Sequence, residues 1–171
     1  FISSLGSGFV ASRINHRGTL ILTLFMATLA LVGCITVPSL WTIRLAMLML
    51  GTAAGFHLPS NIATITAMVS RQDWGKALSV QQMAPPLGLV LGPLLTVAIA
   101  TYYSWRIPLG GIAAIILVVA FFLIRFGKFG VFPGNAPKVS LLRTIMNQKS
   151  FWIMIVLFAF GFAGQVGVYA M

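Results

Sequence analysis

Charged residues punctuate this chain at wide intervals, and the stretches between them are almost wholly apolar. Residues 18–43 between Arg17 and Arg44 carry no charge, and neither do 45–70, 77–105, 107–124 or 150–171. Each stretch holds at least about 18 residues, enough for a helix rising ~1.5 Å per residue to cross a hydrocarbon core of roughly 30 Å. A helix that long in an aqueous core would show a polar face. The pattern predicts membrane-spanning helices at 19–38, 44–69, 78–101, 106–125 and 151–171, the last incomplete. Residues 1–12 are too short to cross alone and read as the tail of an earlier span. The expected fold is all-α, a partial polytopic membrane bundle of about five spans plus that tail.

The connections set an orientation. Arg13 and Arg17 share one loop, Arg71 and Lys76 the next but one, and Arg125, Lys128, Lys138, Arg143 and Lys149 a longer segment. If each stretch crosses once, these nine lie on one side, with only Arg44 and Arg106 on the other. An excess of Lys and Arg marks the cytoplasmic side, and one missed or false span would have scrambled the alternation. Gly127, Gly130, Pro133, Gly134 and Pro137 resist a continuous helix in 126–150. Residues 140–149 there suit a short amphipathic helix. The expected organisation is therefore most of one membrane half in 1–125, a cytoplasmic connection in 126–150, and the first helix of a second half in 151–171. The chain opens on Phe1 and stops at Met171 inside an apolar run, so it is expected to be a piece whose partners include the remainder of the same chain.

Composition narrows the function classes. Hydrophobic residues make up 59%, charged residues 7%, and mean hydropathy is +1.02. A soluble domain is about half apolar and about a quarter charged, so a lipid bilayer is the expected surrounding. The net charge of +10 sets eleven basic residues against Asp73 alone. They sit singly at span boundaries and form no stripe on one face, so nucleic acid is not an expected partner. Cys34 is the sole cysteine, which rules out an internal disulfide or a cysteine metal site. One Asp cannot form a catalytic carboxylate pair. No metal or cofactor is expected, and the chain does not read as an enzyme. A membrane-embedded lipid-modifying enzyme would need convergent acids, histidines or metal ligands, and His16 and His57 stand far apart. That enzyme and a non-transporting scaffold are the alternatives to a transporter.

Three motifs point further. Gly8-Phe9-Val10-Ala11-Ser12-Arg13-Ile14-Asn15-His16-Arg17 resembles the signature G-x-x-x-D-R-x-G-R-R/K of the major facilitator superfamily, found between its second and third helices. Gly8, Arg13 and Arg17 match, while Ser12 replaces the acid, Asn15 the second glycine and His16 an arginine. Gly88-Leu89-Val90-Leu91-Gly92-Pro93 resembles the family's G-x-x-x-G-P helix, often associated with antiporters. Gly88 and Gly92 there offer a smooth face for close helix approach, and Pro93, with Pro85 and Pro86, permits a bend. Gly51 and Gly55 repeat the small-residue spacing ahead of Pro59.

The resemblance implies two six-helix halves, with this chain running from the end of the second helix into the seventh. It implies a multi-pass protein of the plasma or inner membrane that moves a small solute by alternating access. Ion or proton coupling and facilitated diffusion are both left open. In the family an acid–arginine network on the cytoplasmic loop holds the outward-facing state. Ser12 carries no charge, which leaves Asp73 as the acid available to Arg13 or Arg17, unless these arginines only anchor topology. His57, Asn61 and Thr64 fall at i, i+4, i+7 and share a helix face. The family's fourth and seventh helices line its central cavity, which would turn this face and Gln165 toward solute. An interhelical hydrogen bond without a transport role is the alternative for His57. Arg44 is either a solute-binding arginine or a snorkelling residue at the outer boundary.

Overall fold

The computed structural model describes residues 2–37, 39–127, 129–134 and 146–170, and no side chains at 2, 5, 158 and 161–170. The secondary structure among the described residues is helical: α1 Ile2–Thr36, α2 Leu40–Met68, α3 Trp74–Gln82, α4 Ala84–Ala100, α5 Arg106–Phe126 and α6 Lys149–Ala170, with a 3₁₀ turn at Arg71–Asp73. Contacts divide the chain into two units, 1–135 and 136–171.

The first element is two helical arms joined by a reversal. Asn15 interrupts it with φ 63° and ψ 165°. Ser3 Oγ, in the first arm, reaches Gly51 O on α2 at 3.5 Å, while Thr23, in the second, meets His57 at 3.3 Å. In one straight helix Ser3 and Thr23 would lie ~30 Å apart, yet Gly51 and His57 are only ~9 Å apart along α2. The chain must therefore double back at Asn15, and the loop expected around Arg13 and Arg17 is this tight turn.

The two ends of the first unit separate by sequence as the charge pattern requires. Arg17, Thr64 and the last turn of α5 gather at one end, where Arg17 bonds Leu123 O and Ile124 O and Thr64 Oγ1 abuts Gly130. Positions 33 and 42 meet at the other end, as do 35 and 110. Arg44 and Arg106 belong to that second end.

Local chemistry explains the boundaries. Ser39 caps α2, its Oγ accepting from Thr42 N at 3.2 Å. At the far end of α2 the Trp74 indole donates to Thr66 O and Val69 O at 3.0 and 3.1 Å, covering carbonyls the helix leaves unpaired. The expected span 78–101 breaks at Met83, because Pro85 and Pro86 occupy the first turn of α4, where proline is favoured.

The packing is inverted relative to a soluble protein. Apart from Leu20 and Leu31, the buried hydrophobic side chains are alanines (Ala11, Ala30, Ala46, Ala53, Ala113 and Ala120), and Ser7, Thr19, Thr23, Thr28, Ser60 and Thr64 are buried with them. Large residues such as Leu45, Leu48, Leu94, Ile115 and Phe121 are exposed. Helices in lipid associate through small residues that let backbones approach, since the tails already solvate leucine. By length and apolarity, three stretches qualify as spans: 6–36, 71–100 and 106–126. The first includes the reversal and the basic turn at 13–17, so its crossing part is 18–36. α2 falls short of that hydropathy because His57, Pro59, Ser60 and Asn61 dilute its middle. The chain is an integral membrane protein.

Candidate functional site

Between the second arm of α1 and the middle of α2 lies an open cavity of about 450 Å³. Thr23, Leu24 and Ala27 form one wall, and Leu50, Ala53, Ala54 and His57 the other. Its size lies within the range of small-molecule sites, roughly 300–1,000 Å³. One polar pair interrupts the apolar lining. Thr23 Oγ1 donates to Leu20 O at 2.8 Å, which uses its single proton. At 3.3 Å the His57 Nδ1–H must then be the donor to Thr23 Oγ1. In a neutral imidazole this pairing leaves Nε2 as an acceptor.

The expected His57–Asn61–Thr64 face is divided between two places, with only His57 lining the cavity. Thr64 is 3% exposed. It donates to Ser60 O at 2.7 Å, and its Oγ1 lies 3.3 Å from where a Cβ on Gly130 would stand. Seven residues carry it ~10 Å along the axis from His57, out of the cavity and into the turn end. Asn61 is half-buried but does not line the cavity. Arg44 is exposed, its guanidinium 5.2 Å from the Trp41 ring centroid and ~20 Å along the helix from His57. Gln165 lies in the second unit, with its side chain outside the described residues.

The turn motif is built around Arg17. Its guanidinium donates to Ile124 O at 2.7 Å and Leu123 O at 3.3 Å, so a cation meets the negative end of α5. Arg13 points elsewhere, 4.7 Å from the Phe9 ring centroid. Ser12 donates to Phe9 O at 2.7 Å within its own helix. Gly8 belongs to the first arm. Asp73 does not pair with either arginine. It accepts from Ser70 at 2.8 Å and forms an ion pair with Lys76 at 3.1 Å. These two partners hold its carboxyl below the usual range. The reason is local: Ser70 and Lys76 are three residues away on either side, within reach across the short 3₁₀ turn.

The glycine expectations divide. A Cβ on Gly55 would run into Ser3 Oγ and lie 2.9 Å from Ser3 Cβ. That glycine therefore permits the first arm to lie on α2. A Cβ on Gly51, Gly88 or Gly92 meets nothing within 4 Å among the described residues, and α4 has no buried residue. The Gly88–Gly92 face, with Pro93 inside α4, thus has no close neighbour among the described residues.

Sequence reasoning missed Thr23 as the partner of His57. It also missed residues 129–134, which lie along the 11–17 turn: Arg17 N donates to Gly130 O at 3.0 Å and Gly134 N to Ala11 O at 2.9 Å. The paired glycines were visible, but glycine and proline also mark a free linker. Residues 135–145 of the expected connection lie outside the described residues, and with them most of the expected amphipathic helix.

The family model of the Major Facilitator Superfamily matches residues 1–171. The chain is 28% identical over 122 residues, 70% of its length, to the uncharacterized MFS-type transporter YhcA of Bacillus subtilis, of which it covers 23%. It is 29% identical over 129 residues to the inner membrane metabolite transport protein YdjE of Escherichia coli, covering 72% of this chain and 27% of that one. With the multidrug resistance protein MdtG of Salmonella arizonae it shares 29% over 115 residues, 67% of this chain and 28% of that protein. The chain thus spans about a quarter of the length of the curated relatives it matches. No solved structure matches it.

Proposed function

The chain belongs to the major facilitator superfamily, and from that premise we propose that it forms part of a transporter moving a small solute across the plasma or inner membrane by alternating access. In this reading residues 1–125 supply most of the first half, 126–150 the connection between halves, and 151–171 the first helix of the second half. The loops around 13–17, 71–76 and 125–149 face the cytoplasm. Transporters of this kind rock two halves around a site near the bilayer middle.

The observation that carries the reading is the placement of His57. It is a titratable side chain near the centre of α2, hydrogen-bonded to Thr23, on the wall of a 450 Å³ cavity. A polar group at that depth costs free energy unless it meets protein or water. A wet cavity alternately open to each face would supply that water and let the imidazole titrate. The apolar walls and single polar pair suit a small, largely apolar solute with one hydrogen-bonding group. The printed names of YdjE and MdtG, a metabolite transporter and a multidrug resistance protein, supply the two solute panels to try.

The test uses the full-length protein in proteoliposomes with an interior pH dye. Solutes from both panels are added with and without an imposed proton gradient. Saturable, solute-dependent proton movement supports coupled transport. His57→Gln keeps hydrogen-bonding capacity without titration, so it should flatten the pH dependence of flux between about 5.5 and 7.5, around the free imidazole value. An unchanged profile would make His57 a packing residue.

A further inference from the structure

Residues 129–134 read as linker by composition, yet the backbone seats them firmly. Arg17 N–H donates to Gly130 O at 3.0 Å, His16 N–H to Phe132 O at 3.4 Å, and Gly134 N–H to Ala11 O at 2.9 Å. Two glycines make the approach feasible. Gly130 has φ +72°, and a Cβ there would lie 3.1 Å from Arg17 N. A Cβ on Gly134 would lie 2.6 Å from Ala11 Cβ. The Phe132 ring rests against the His16 imidazole, with centroids 4.9 Å apart and planes tilted by 50°.

We propose that residues 129–134 are a strap docked on the 11–17 turn, and that protonation of His16 releases it. The contact accommodates only a neutral imidazole. His16 Nδ1 is buried and has no hydrogen-bond partner among the described residues. A proton placed there would become a buried donor without an acceptor, a costly arrangement. No acid stands beside it on the turn, where its charged neighbours in sequence are Arg13, over the Phe9 ring, and Arg17, on the last carbonyls of α5. From α2 the neutral hydroxyl of Thr64 abuts the strap at Gly130. Lys128, next to the strap, lies outside the described residues. Asp73, the chain's one acid, is committed to Lys76 and Ser70. Burial already holds the His16 pKa below its ordinary value, as expected for an imidazole favoured neutral. Attraction between an imidazolium and the Phe132 ring opposes release, but it leaves the new N–H unpaired.

Release would free the chain leading toward 135 from the turn in acid, whatever solute the protein moves. The device therefore does not depend on the transport reading. Hydrogen–deuterium exchange on the full-length protein in nanodiscs tests it, at pH 7.5 and 5.5 and corrected for intrinsic exchange. The amides of His16, Arg17 and Gly134 should be protected at least ~10-fold at pH 7.5 and lose that protection at pH 5.5. His16→Phe keeps a ring against Phe132 but cannot titrate, so it should keep protection at both values. Gly134→Val should lose protection at pH 7.5, while amides deeper in the second arm of α1, from Thr23 to Thr28, stay protected in every variant. Unprotected amides in wild type at pH 7.5, or protection that survives Gly134→Val, would overturn the docking. Wild-type protection equal at both pH values, or lost equally in His16→Phe, would overturn the role of His16.

Discussion

Asn15 offers a direct test of the turn. Its φ of 63° and ψ of 165° fall in a region that is essentially glycine's, where another residue costs about 1–3 kcal/mol. The family signature places a glycine at this position, and the backbone shows why. Asn15→Gly removes the clash of Cβ with its own backbone. Glycine's greater freedom in the unfolded chain takes back roughly 0.4–1 kcal/mol. The expected net gain is therefore about 0.5–2 kcal/mol. Asn15→Val should instead lose about 1 kcal/mol or more, because a β-branched residue tolerates positive φ worst. The Thr19 hydroxyl bonds Asn15 O at 2.9 Å through the backbone, so every variant retains it. Thermal unfolding of the full-length protein in detergent reads the order, with a thiol dye reporting exposure of the half-buried Cys34. Midpoints should rank Gly above Asn above Val. A lowered midpoint for Asn15→Gly, or a valine variant equal to wild type, would refute the turn geometry.

Gly55→Ala should destabilise by about 1–3 kcal/mol through overpacking against Ser3, whereas Gly51→Ala should fall within about 0.5 kcal/mol of wild type; the same unfolding assay compares them. Arg17→Ala removes both bonds to the end of α5 and should cost about 1.5–3 kcal/mol, with Arg17→Lys recovering only part because an ammonium cannot reproduce the guanidinium fork. Asp73 has a folded pKa depressed below its unfolded value, so its contribution is present above about pH 4 and is lost as pH falls through the folded pKa. Asp73 and Lys76 are 48% and 84% exposed, so Asp73→Asn should lower the unfolding midpoint at pH 7 only slightly; a large drop there would show a wider network than the Lys76 pair.

Much of the architecture was legible because charge placement alone dictates where a helix can cross lipid. The turn between Arg13 and Arg17 and the opposite placement of Arg44 and Arg106 could be read from the sequence, whereas Pro85 and Pro86 read as a bend and the helix breaks at Met83. Residue periodicity placed His57, Asn61 and Thr64 on one face, but a face is not a site. A helix passes ~10 Å of depth over seven residues, and Thr64 ends up against Gly130 while His57 meets Thr23. That partner came from a hairpin arm whose facing residues no single-chain pattern specifies. Glycine spacing gave the same signature at Gly51–Gly55 and Gly88–Gly92, and only Ser3 against Gly55 shows a close approach among the described residues. The docked strap was the least legible feature, since its bonds are made by backbone atoms that every sequence carries.

Ala54 provides the measurement that bears most directly on alternating access. It lines the cavity beside His57 and is exposed. It also lies at the middle of α2, ~21 Å from either end. A single cysteine there, Ala54→Cys in a full-length Cys34→Ser protein, can be challenged with a membrane-impermeant maleimide in right-side-out and inside-out vesicles. No knowledge of the solute is needed. Alternating access predicts labelling from both faces. Labelling from one face alone, or from neither, would contradict it.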